Sequence, residues 1–205
     1  LAAMAFTHAH WDHVLGTMSF PQAPALCSRR LADWVAADAA PARACLEEAR
    51  QFDSRWYVSR PAPYRWPAQL RGLEDGERID LEGLVLRAVA LPGHSADGLG
   101  LLVEQAGTLL AGDHLSPCEI PFVDDARAYR DTLVRLLELL GEVERVVPGH
   151  GPVLGSDQAR RIACEDLDYL DRLLELGASG DREGALRLAL PRAAEVVDMR
   201  EHHLE

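Results

Sequence analysis

The chain has 205 residues, of which 48% are hydrophobic and 26% charged, and its formal net charge is −12. This length and composition predict one substantial globular domain, and no apolar stretch is long enough to predict a transmembrane helix. The acidic balance argues against a nucleic-acid partner, because such a surface repels phosphate backbones.

The first half of the chain alternates short apolar runs with loops and helical segments. Residues 1–6 predict a buried strand that stops at a histidine-rich loop, and residues 24–28 predict a second short strand. Residues 29–52 predict a helix that is broken or kinked at Pro41. Residues 54–69 are rich in proline and aromatic side chains without a clear period, so we expect an irregular loop or lid.

The second half continues the alternation of strands and helices. Residues 84–91 predict a strand, and residues 99–114 predict two strands around a turn at Gln105–Gly107. Leucines at helical spacing predict a helix over residues 126–140, and residues 145–151 predict a short strand that ends in a Gly-rich loop. Strands that alternate with helices indicate an α/β architecture.

The C-terminal part of the chain is predicted to be helical. Ser156 is expected to be the N-cap of its first helix. Gly177, Gly180 and Pro191 are expected to divide the segment into three helices, since glycine and proline commonly end helical segments.

The four cysteines stand far apart in the sequence, as Cys27, Cys45, Cys118 and Cys164. No two of them form a C-x-x-C pair, so the spacing favours neither a zinc ribbon nor a disulfide scaffold. The first residues also lack the basic stretch and cleavage pattern that are typical of a signal peptide. We therefore expect free thiols and a cytoplasmic protein that does not contact a membrane.

Side chains that commonly bind metals stand where the predicted strands end. The first strand leads into THAHWDH, and later strands lead into LPGHS, AGDHLS and VPGHG. The seven side chains are His8, His10, Asp12, His13, His94, Asp113 and His150. Strand ends are where open α/β sheets place ligands, and imidazole and carboxylate groups suit zinc, iron or manganese. A lone histidine is more often a satisfied polar residue, but seven such side chains at strand ends predict a metal centre.

The spacing within the first loop has a physical use. His8 and His10 point the same way in an extended segment, because alternate residues do so. Asp12 and His13 follow in the next turn and can face a neighbouring position. One short loop can therefore serve two metal ions that lie about 3.5–4 Å apart.

The order H-x-H-x-D-H, followed by single His, Asp and His residues, resembles the metallo-β-lactamase superfamily over residues 1–155. The resemblance implies an α/β fold, an αβ/βα sandwich of two mixed sheets with outer helices, followed by a C-terminal helical tail over residues 156–205. Family members usually carry several strands before the first loop, whereas this chain has six residues there. We therefore expect a fold that lacks its leading N-terminal strands. The unpaired sheet edge could then associate with a second copy of the chain, so a homodimer is possible.

The resemblance also implies which residues hold each metal ion. His8, His10 and His94 would hold the first metal, Asp12, His13 and His150 would hold the second, and Asp113 would bridge both. The expected cofactors are two zinc ions, with iron or manganese as alternatives. Antibiotic hydrolysis is not expected, because the true β-lactamases of the superfamily often use a cysteine as a second-site ligand, whereas Asp113 stands where the bridging carboxylate of the hydrolases is expected.

The segment GDHLSP and the short helical tail are similar to the glyoxalase II-like branch of the superfamily. This implies cleavage of a thioester or carboxylic ester of a small-molecule substrate by a metal-bridging hydroxide. Asp12 and Asp113 are the expected catalytic residues, and Asp12 would also orient the attacking water. The alternatives are a lactonase or phosphodiesterase of the same superfamily, or a non-catalytic binding module if the site takes no metal.

Candidate substrate contacts lie outside the seven ligands. Trp56, Tyr57, Tyr64 and Trp66 stand between the first and second ligand loops. They could cover the metal site and bind an acyl chain or a ring, or they could anchor an irregular loop onto the domain. His114 directly follows Asp113 and is either a further substrate contact or an ordinary loop histidine.

Overall fold

The computed structural model describes residues 3–193, which form two sheets and six α-helices. The strands are Met4–Ala5 (β1), Ala25–Ser28 (β2), Leu70–Leu73 (β3), Arg78–Leu81 (β4), Leu84–Ala90 (β5), Leu99–Val103 (β6), Thr108–Gly112 (β7), Arg145–Pro148 (β8) and Leu154–Gly155 (β9). The helices are Gly16–Ser19 (α1), Arg29–Ala36 (α2), Ala40–Arg55 (α3), Ala126–Leu139 (α4), Ser156–Ser179 (α5) and Arg182–Arg187 (α6). Within the same residues, no helix is both long and apolar enough to cross a membrane.

The two sheets differ in size and in strand direction. The smaller sheet has the order β1-β2-β3 and its strands are parallel. The larger sheet has the order β4-β5-β6-β7-β8-β9, in which only the β7–β8 pair is parallel. The larger sheet is therefore mixed, as expected, whereas the smaller one is parallel throughout its described strands.

Three apolar clusters show that the sheets lie face to face with helices outside. Between the sheets, Leu26 and Leu73 of the smaller sheet pack with Ile79, Ala88 and Leu101 of the larger one. A second cluster joins the outer face of the larger sheet to α4 and α5, and a third joins the smaller sheet to α2 and α3. Burial of alternate strand residues on opposite faces produces this four-layer arrangement. The predicted αβ/βα sandwich is confirmed.

Several predicted boundaries differ from the structure for identifiable reasons. The break predicted at Pro41 is present but lies a few residues earlier, between α2 and α3, and Pro41 itself stands in the first turn of α3, where a missing N–H costs nothing. Ser156 is the first residue of α5 rather than its N-cap, which is Gly155, and its hydroxyl donates to the Leu140 carbonyl at 2.8 Å. Gly177 lies inside α5, which ends at Ser179 with Gly180 as its C-cap. The third helix predicted after Pro191 falls mainly outside the described residues.

The C-terminal helices pack onto the same core as the strands. Ala159, Ile162 and Leu170 of α5 are buried in one cluster with Leu133 and Leu136 of α4. The predicted division at residue 155 coincides with the start of α5. That division stays a prediction, since α5 shares its hydrophobic contacts with the preceding part of the chain.

A glycine before His94 is required by the packing of α4 onto this loop. Gly93 has φ +124°, and a Cβ atom there would lie 2.2 Å from the Tyr129 Cα. We expect Gly93→Ala to lower the free energy of unfolding by roughly 2–6 kcal/mol, from backbone strain and a steric clash together. Gly76 has φ +76° and would have nothing within 4 Å of an added Cβ. Gly76→Ala therefore measures the cost of backbone strain without a steric clash. Equal losses for the two variants in urea unfolding would contradict the steric argument.

Candidate metal centre

The seven predicted ligands lie in four loops at one edge of the sandwich. His8 and His10 follow β1, and a short 3-10 helix over Trp11–His13 carries the next two ligands. The remaining loops follow β5, β7 and β8 and carry His94, Asp113 and His150. The structure therefore brings all seven side chains together. They form one group of His8, His10, His94 and Asp113 and a second group of Asp12, His13 and His150.

The first group is a tight convergence of three imidazoles on one carboxylate. His94 Nε2 lies 3.2 Å from His8 Nε2 and 3.0 Å from His10 Nδ1. Asp113 Oδ2 lies 3.2 Å from His94 Nε2 and 3.5 Å from His8 Nε2. Two ligands of a tetrahedral zinc ion, with bonds of about 2.0–2.1 Å, are separated by about 3.3–3.4 Å. These four side chains are thus spaced as ligands of a single ion.

The second group has the same spacing. Asp12 Oδ2 lies 3.4 Å from His13 Nε2 and 3.3 Å from His150 Nε2. Asp113 joins this group as well, since its Oδ1 lies 3.1 Å from His13 Nε2 and its Oδ2 lies 3.5 Å from His150 Nε2. The Asp113 carboxylate therefore faces both groups.

Two buried polar atoms test whether these residues fit metal ions. His13 Nε2 and Asp113 Oδ1 are buried and lie 3.1 Å from each other, but neither forms a hydrogen bond of good geometry among residues 3–193. An unpaired buried polar atom is costly unless something else satisfies it. Nitrogen and oxygen donors at these distances suit zinc or iron. The residues present fit one ion in each group.

The imidazoles are oriented by partners on their other ring nitrogens. His94 Nδ1 donates to the Phe122 carbonyl at 2.9 Å, which directs Nε2 into the cluster. Thr7 Oγ1 lies 3.1 Å from His8 Nδ1 and 3.5 Å from His13 Nδ1. Such contacts fix the tautomer and the ring orientation of metal-binding histidines.

Asp97 holds the backbone of the first ligand loop. Its Oδ2 accepts a hydrogen bond from the Ala9 N–H at 2.9 Å, between His8 and His10. The side chain is 2% exposed, and burial raises the pKa of its carboxyl above the usual value. Asp97 was not among the predicted site residues, because this contact joins positions 88 residues apart.

The crowding of imidazoles and carboxylates shifts their pKa values in opposite directions. Burial lowers the pKa of His8 to about 4. Burial also opposes the charge of His13, but the carboxylates of Asp113 and Asp12 outweigh it and raise the pKa to about 9. Burial opposes ionisation of Asp113, but three adjacent imidazoles outweigh it and hold its pKa far below the usual range. Asp113 is therefore a carboxylate at any ordinary pH.

The four aromatic residues after α3 divide into two half-buried anchors and two exposed rings. Trp66 Nε1 donates to the Ala42 carbonyl at 3.1 Å, and its ring meets Phe6 edge to face. The Tyr64 hydroxyl donates to Asp53. Trp56 and Tyr57 are 60% and 97% exposed. Tyr64 and Trp66 thus anchor the segment, while Trp56 and Tyr57 stay candidates for contact with a substrate.

His114 lies on the core side of its strand end. It is 2% exposed and stacks on Tyr129 with ring centroids 4.4 Å apart. Burial lowers the pKa of this imidazole to about 3, so it is neutral. The described structure leaves His114 no surface for a substrate, and we do not retain it as a substrate contact.

A stacked aromatic pair beside the first loop was not predicted. The rings of Trp11 and Phe52 lie 4.1 Å apart at an angle of 26°. Trp11 stands next to the ligand Asp12, and Phe52 belongs to α3. The pair therefore packs the 3-10 helix that carries two ligands against α3. No sequence pattern indicates this contact, since the two residues are far apart along the chain.

Asp53 fixes the aromatic segment to α3, and its substitution should release that segment. Its carboxylate accepts two hydrogen bonds from Arg60, at 2.6 and 2.8 Å, and is 1% exposed. We expect Asp53→Asn to speed proteolytic cleavage within residues 56–69 roughly tenfold, because a charged hydrogen-bond pair is lost. Glu48→Gln, an exposed change on the same helix, is the control. Unchanged cleavage in Asp53→Asn would contradict the anchoring role.

The same anchor has a defined pH dependence. The hydrogen bonds from Arg60 hold the pKa of Asp53 below its usual 3.8. A lowered pKa means that the stabilisation is complete above the usual value and is lost as the pH falls through the lower, folded-state value. Cleavage within the segment should therefore rise in acid for the unmodified chain and change less for Asp53→Asn.

The amino-acid sequence is similar to one protein family and to several characterised proteins. The family model of the metallo-beta-lactamase superfamily matches residues 3–150. The atrochrysone carboxyl ACP thioesterase AgnL7 of Paecilomyces divaricatus is 36% identical over 84 residues, which are 41% of this chain and 26% of that protein. The matches to the first curated relatives span only 27% to 31% of their lengths. The similarity therefore does not show that this chain has the activities of those proteins.

Two solved structures share the fold. A metallo-beta-lactamase family protein from Thermus thermophilus superposes with a TM-score of 0.66 at 23% identity, covering 100% of this chain and 73% of that one. A second structure, named as a di-iron-bound form, superposes with a TM-score of 0.53 at 27% identity, covering 78% of this chain and 75% of that one.

Proposed function

This chain belongs to the metallo-beta-lactamase superfamily, and we propose that it is a hydrolase with one metal ion on each side of Asp113. The observation that carries the proposal is the contact of both groups with that carboxylate, at 3.1 Å from His13 and 3.2 Å from His94. A single-ion site would leave Asp12, His13 and His150 gathered at ligand spacing without a cation to hold. Two zinc ions are proposed, and a di-iron-bound structural neighbour keeps iron as the alternative.

The metal ions would supply Lewis acidity and a water that ionises near neutral pH. His8, His10 and His94 would hold one ion, and Asp12, His13 and His150 the other, with Asp113 shared. Asp113 is 10% exposed, and its carboxylate contacts imidazoles of both groups.

The open side of the centre indicates where water and substrate enter. The side chains of Asp12 and His150 are 29% and 36% exposed, whereas His8 and His94 are 2% and 5% exposed. Asp12 has one oxygen directed at His13 and His150, which leaves its other oxygen to orient an incoming water. The substrate carbonyl would therefore approach over the second group.

The proposed bond is a thioester or a carboxylic ester, cleaved as in the glyoxalase II-like branch. The similarity to a thioesterase at 36% identity supports this choice. The arrangement of metal-binding side chains alone does not separate an ester from a lactone or a phosphodiester, because the same charge stabilisation serves each of them.

A paired substrate panel tests this assignment. We expect the zinc-loaded protein to cleave a glutathione or acyl thioester at least about a hundredfold faster than an aryl phosphodiester. A chelator should abolish the activity, and added zinc should restore it. Cleavage of the phosphodiester alone would contradict the thioesterase assignment and favour a phosphodiesterase. Hydrolysis of a lactone alone would favour a lactonase. A protein that binds no metal would be a binding module.

A further inference from the structure

A wide groove lies between the loop before α4 and the two C-terminal helices. Its volume is about 740 Å³. Ile120, Phe122 and Val123 line one side, and Leu173 and Leu176 of α5 line the other. Cavities of a few hundred cubic ångströms lined mainly by apolar side chains are typical of small-molecule sites. None of these residues is a metal ligand or a predicted substrate contact.

The groove and the metal centre share one wall. The Phe122 carbonyl accepts the hydrogen bond from His94 Nδ1 at 2.9 Å, and the Phe122 ring centroid lies 6.1 Å from that of His94. The Phe122 side chain, 38% exposed, is part of the groove lining. One residue therefore contacts both the metal-binding imidazole and the apolar groove.

Two arginines at the groove are available to an anion. Arg127 and Arg182 stand in the first turns of α4 and α6 and belong to the lining. Among residues 3–193, neither guanidinium group has an ion pair or a hydrogen bond, whereas the nearby Arg130 pairs with Asp171. Of the two aspartates in the lining, Asp181 already accepts the Gly184 N–H at 2.8 Å, and the exposed Asp124 acts electrostatically on His94 at the metal-centre end of the groove. In a chain of net charge −12, two unpaired arginines beside an apolar groove favour an anionic, amphipathic ligand.

We propose that this groove is the acyl site of the enzyme: it binds the apolar chain of an acyl thioester, and Arg127 and Arg182 bind an anionic group carried by the same molecule. The inference rests on the proposed hydrolase function and adds the substrate class. Medium-chain acyl thioesters are the preferred substrates, ahead of short, polar acyl groups. The groove also binds the released fatty acid.

Binding of decanoate to the metal-free protein tests the groove apart from catalysis. Isothermal titration calorimetry should show binding to the unmodified chain and at least tenfold weaker binding to Ala178→Trp, which places an indole in the groove. Ala178 is an exposed lining residue of α5, so the variant should fold. Ser179→Trp, an exposed neighbour outside the lining, is the matched control and should bind as the unmodified chain does.

The charged and uncharged forms of the probe test the arginines. Replacing both Arg127 and Arg182 with glutamine should weaken binding of monomethyl decanedioate, which carries a carboxylate at the far end of its chain, and leave binding of methyl decanoate unchanged. Equal weakening of both ligands would overturn the role of the arginines.

The chain-length dependence of hydrolysis links the groove to catalysis. In the zinc-loaded protein, kcat/KM should rise from acetyl to decanoyl thioesters, and this rise should disappear in Ala178→Trp but not in Ser179→Trp. Thioester cleavage without any chain-length preference, together with no decanoate binding, would overturn the acyl site and leave the hydrolase intact. Decanoate binding that Ala178→Trp blocks, without hydrolysis of any thioester, would overturn the proposed function and keep the groove as a fatty-acyl site. A dimer that Ala178→Trp dissociates would assign the groove to a second copy and overturn the inference.

Discussion

Asp113→Asn should lower kcat/KM by at least about a thousandfold, which corresponds to roughly 4 kcal/mol of transition-state stabilisation. The side chain of Asp113 faces His8 and His94 on one side and His13 on the other, at 3.1 to 3.5 Å. Asparagine keeps the size of the side chain but removes its negative charge and one of its two ligand oxygens. Both groups then lose a shared anionic ligand, so metal affinity and catalysis should fall together.

The readout is the metal content and kcat/KM of the purified variant. Asp131→Asn, an exposed change on α4, removes a carboxylate away from the centre and should leave both quantities unchanged. Turnover within tenfold of the unmodified enzyme in Asp113→Asn would show that the carboxylate does not join two ions, and the two-metal account would be wrong.

Gly149→Ala should disrupt the same carboxylate without touching a ligand. A Cβ atom on Gly149 would lie 2.2 Å from Asp113 Oδ1 and 2.7 Å from His13 Cε1. Neither neighbour can move away and keep its place in the cluster. We expect kcat/KM to fall at least about a hundredfold and the metal content to fall with it, because a small displacement of a preorganised ligand is costly.

Gly155→Ala is the matched control for that variant. Gly155 stands six residues further along the chain, has no positive φ, and would have nothing within 4 Å of an added Cβ. The control should keep full activity. If Gly149→Ala also kept its activity and its metal, the close packing of Gly149 on Asp113 would not matter for the site.

The ligand set was predictable because its chemistry is local. H-x-H-x-D-H places four donors in one loop, and His94, Asp113 and His150 each follow an apolar strand that the period of the sequence indicates. The face-to-face packing of the two sheets was predicted from the resemblance, whereas the strand order was not predicted, since spacing alone does not specify which strands pair.

The strands that were missed, β3, β4 and β9, are short. β4 has the sequence RIDL, and β9 has two residues, so neither carries a period long enough to recognise. Both depend on pairing with β5 and β8 for their existence. Tertiary contacts decide such strands more than intrinsic preference does.

The contacts that orient the ligands of the metal centre could not be predicted from the sequence for a different reason. Phe122 acts through its backbone carbonyl, and Asp97 through a hydrogen bond to the distant Ala9 N–H. Residue type therefore says little about either role. Within the aromatic segment, Tyr64 and Trp66 have hydrogen-bond partners in the domain, whereas Trp56 and Tyr57 are exposed, and their contact with a substrate stays a prediction.

The number of metal ions bound per chain is the most direct test of the two-metal centre. Zinc should be titrated into the metal-free protein and into Asp113→Asn, and the bound metal counted by mass spectrometry after gel filtration. The account predicts two ions per chain in the unmodified protein and fewer than two in the variant. One ion or none in the unmodified protein, at saturating zinc and with the fold intact, would contradict it.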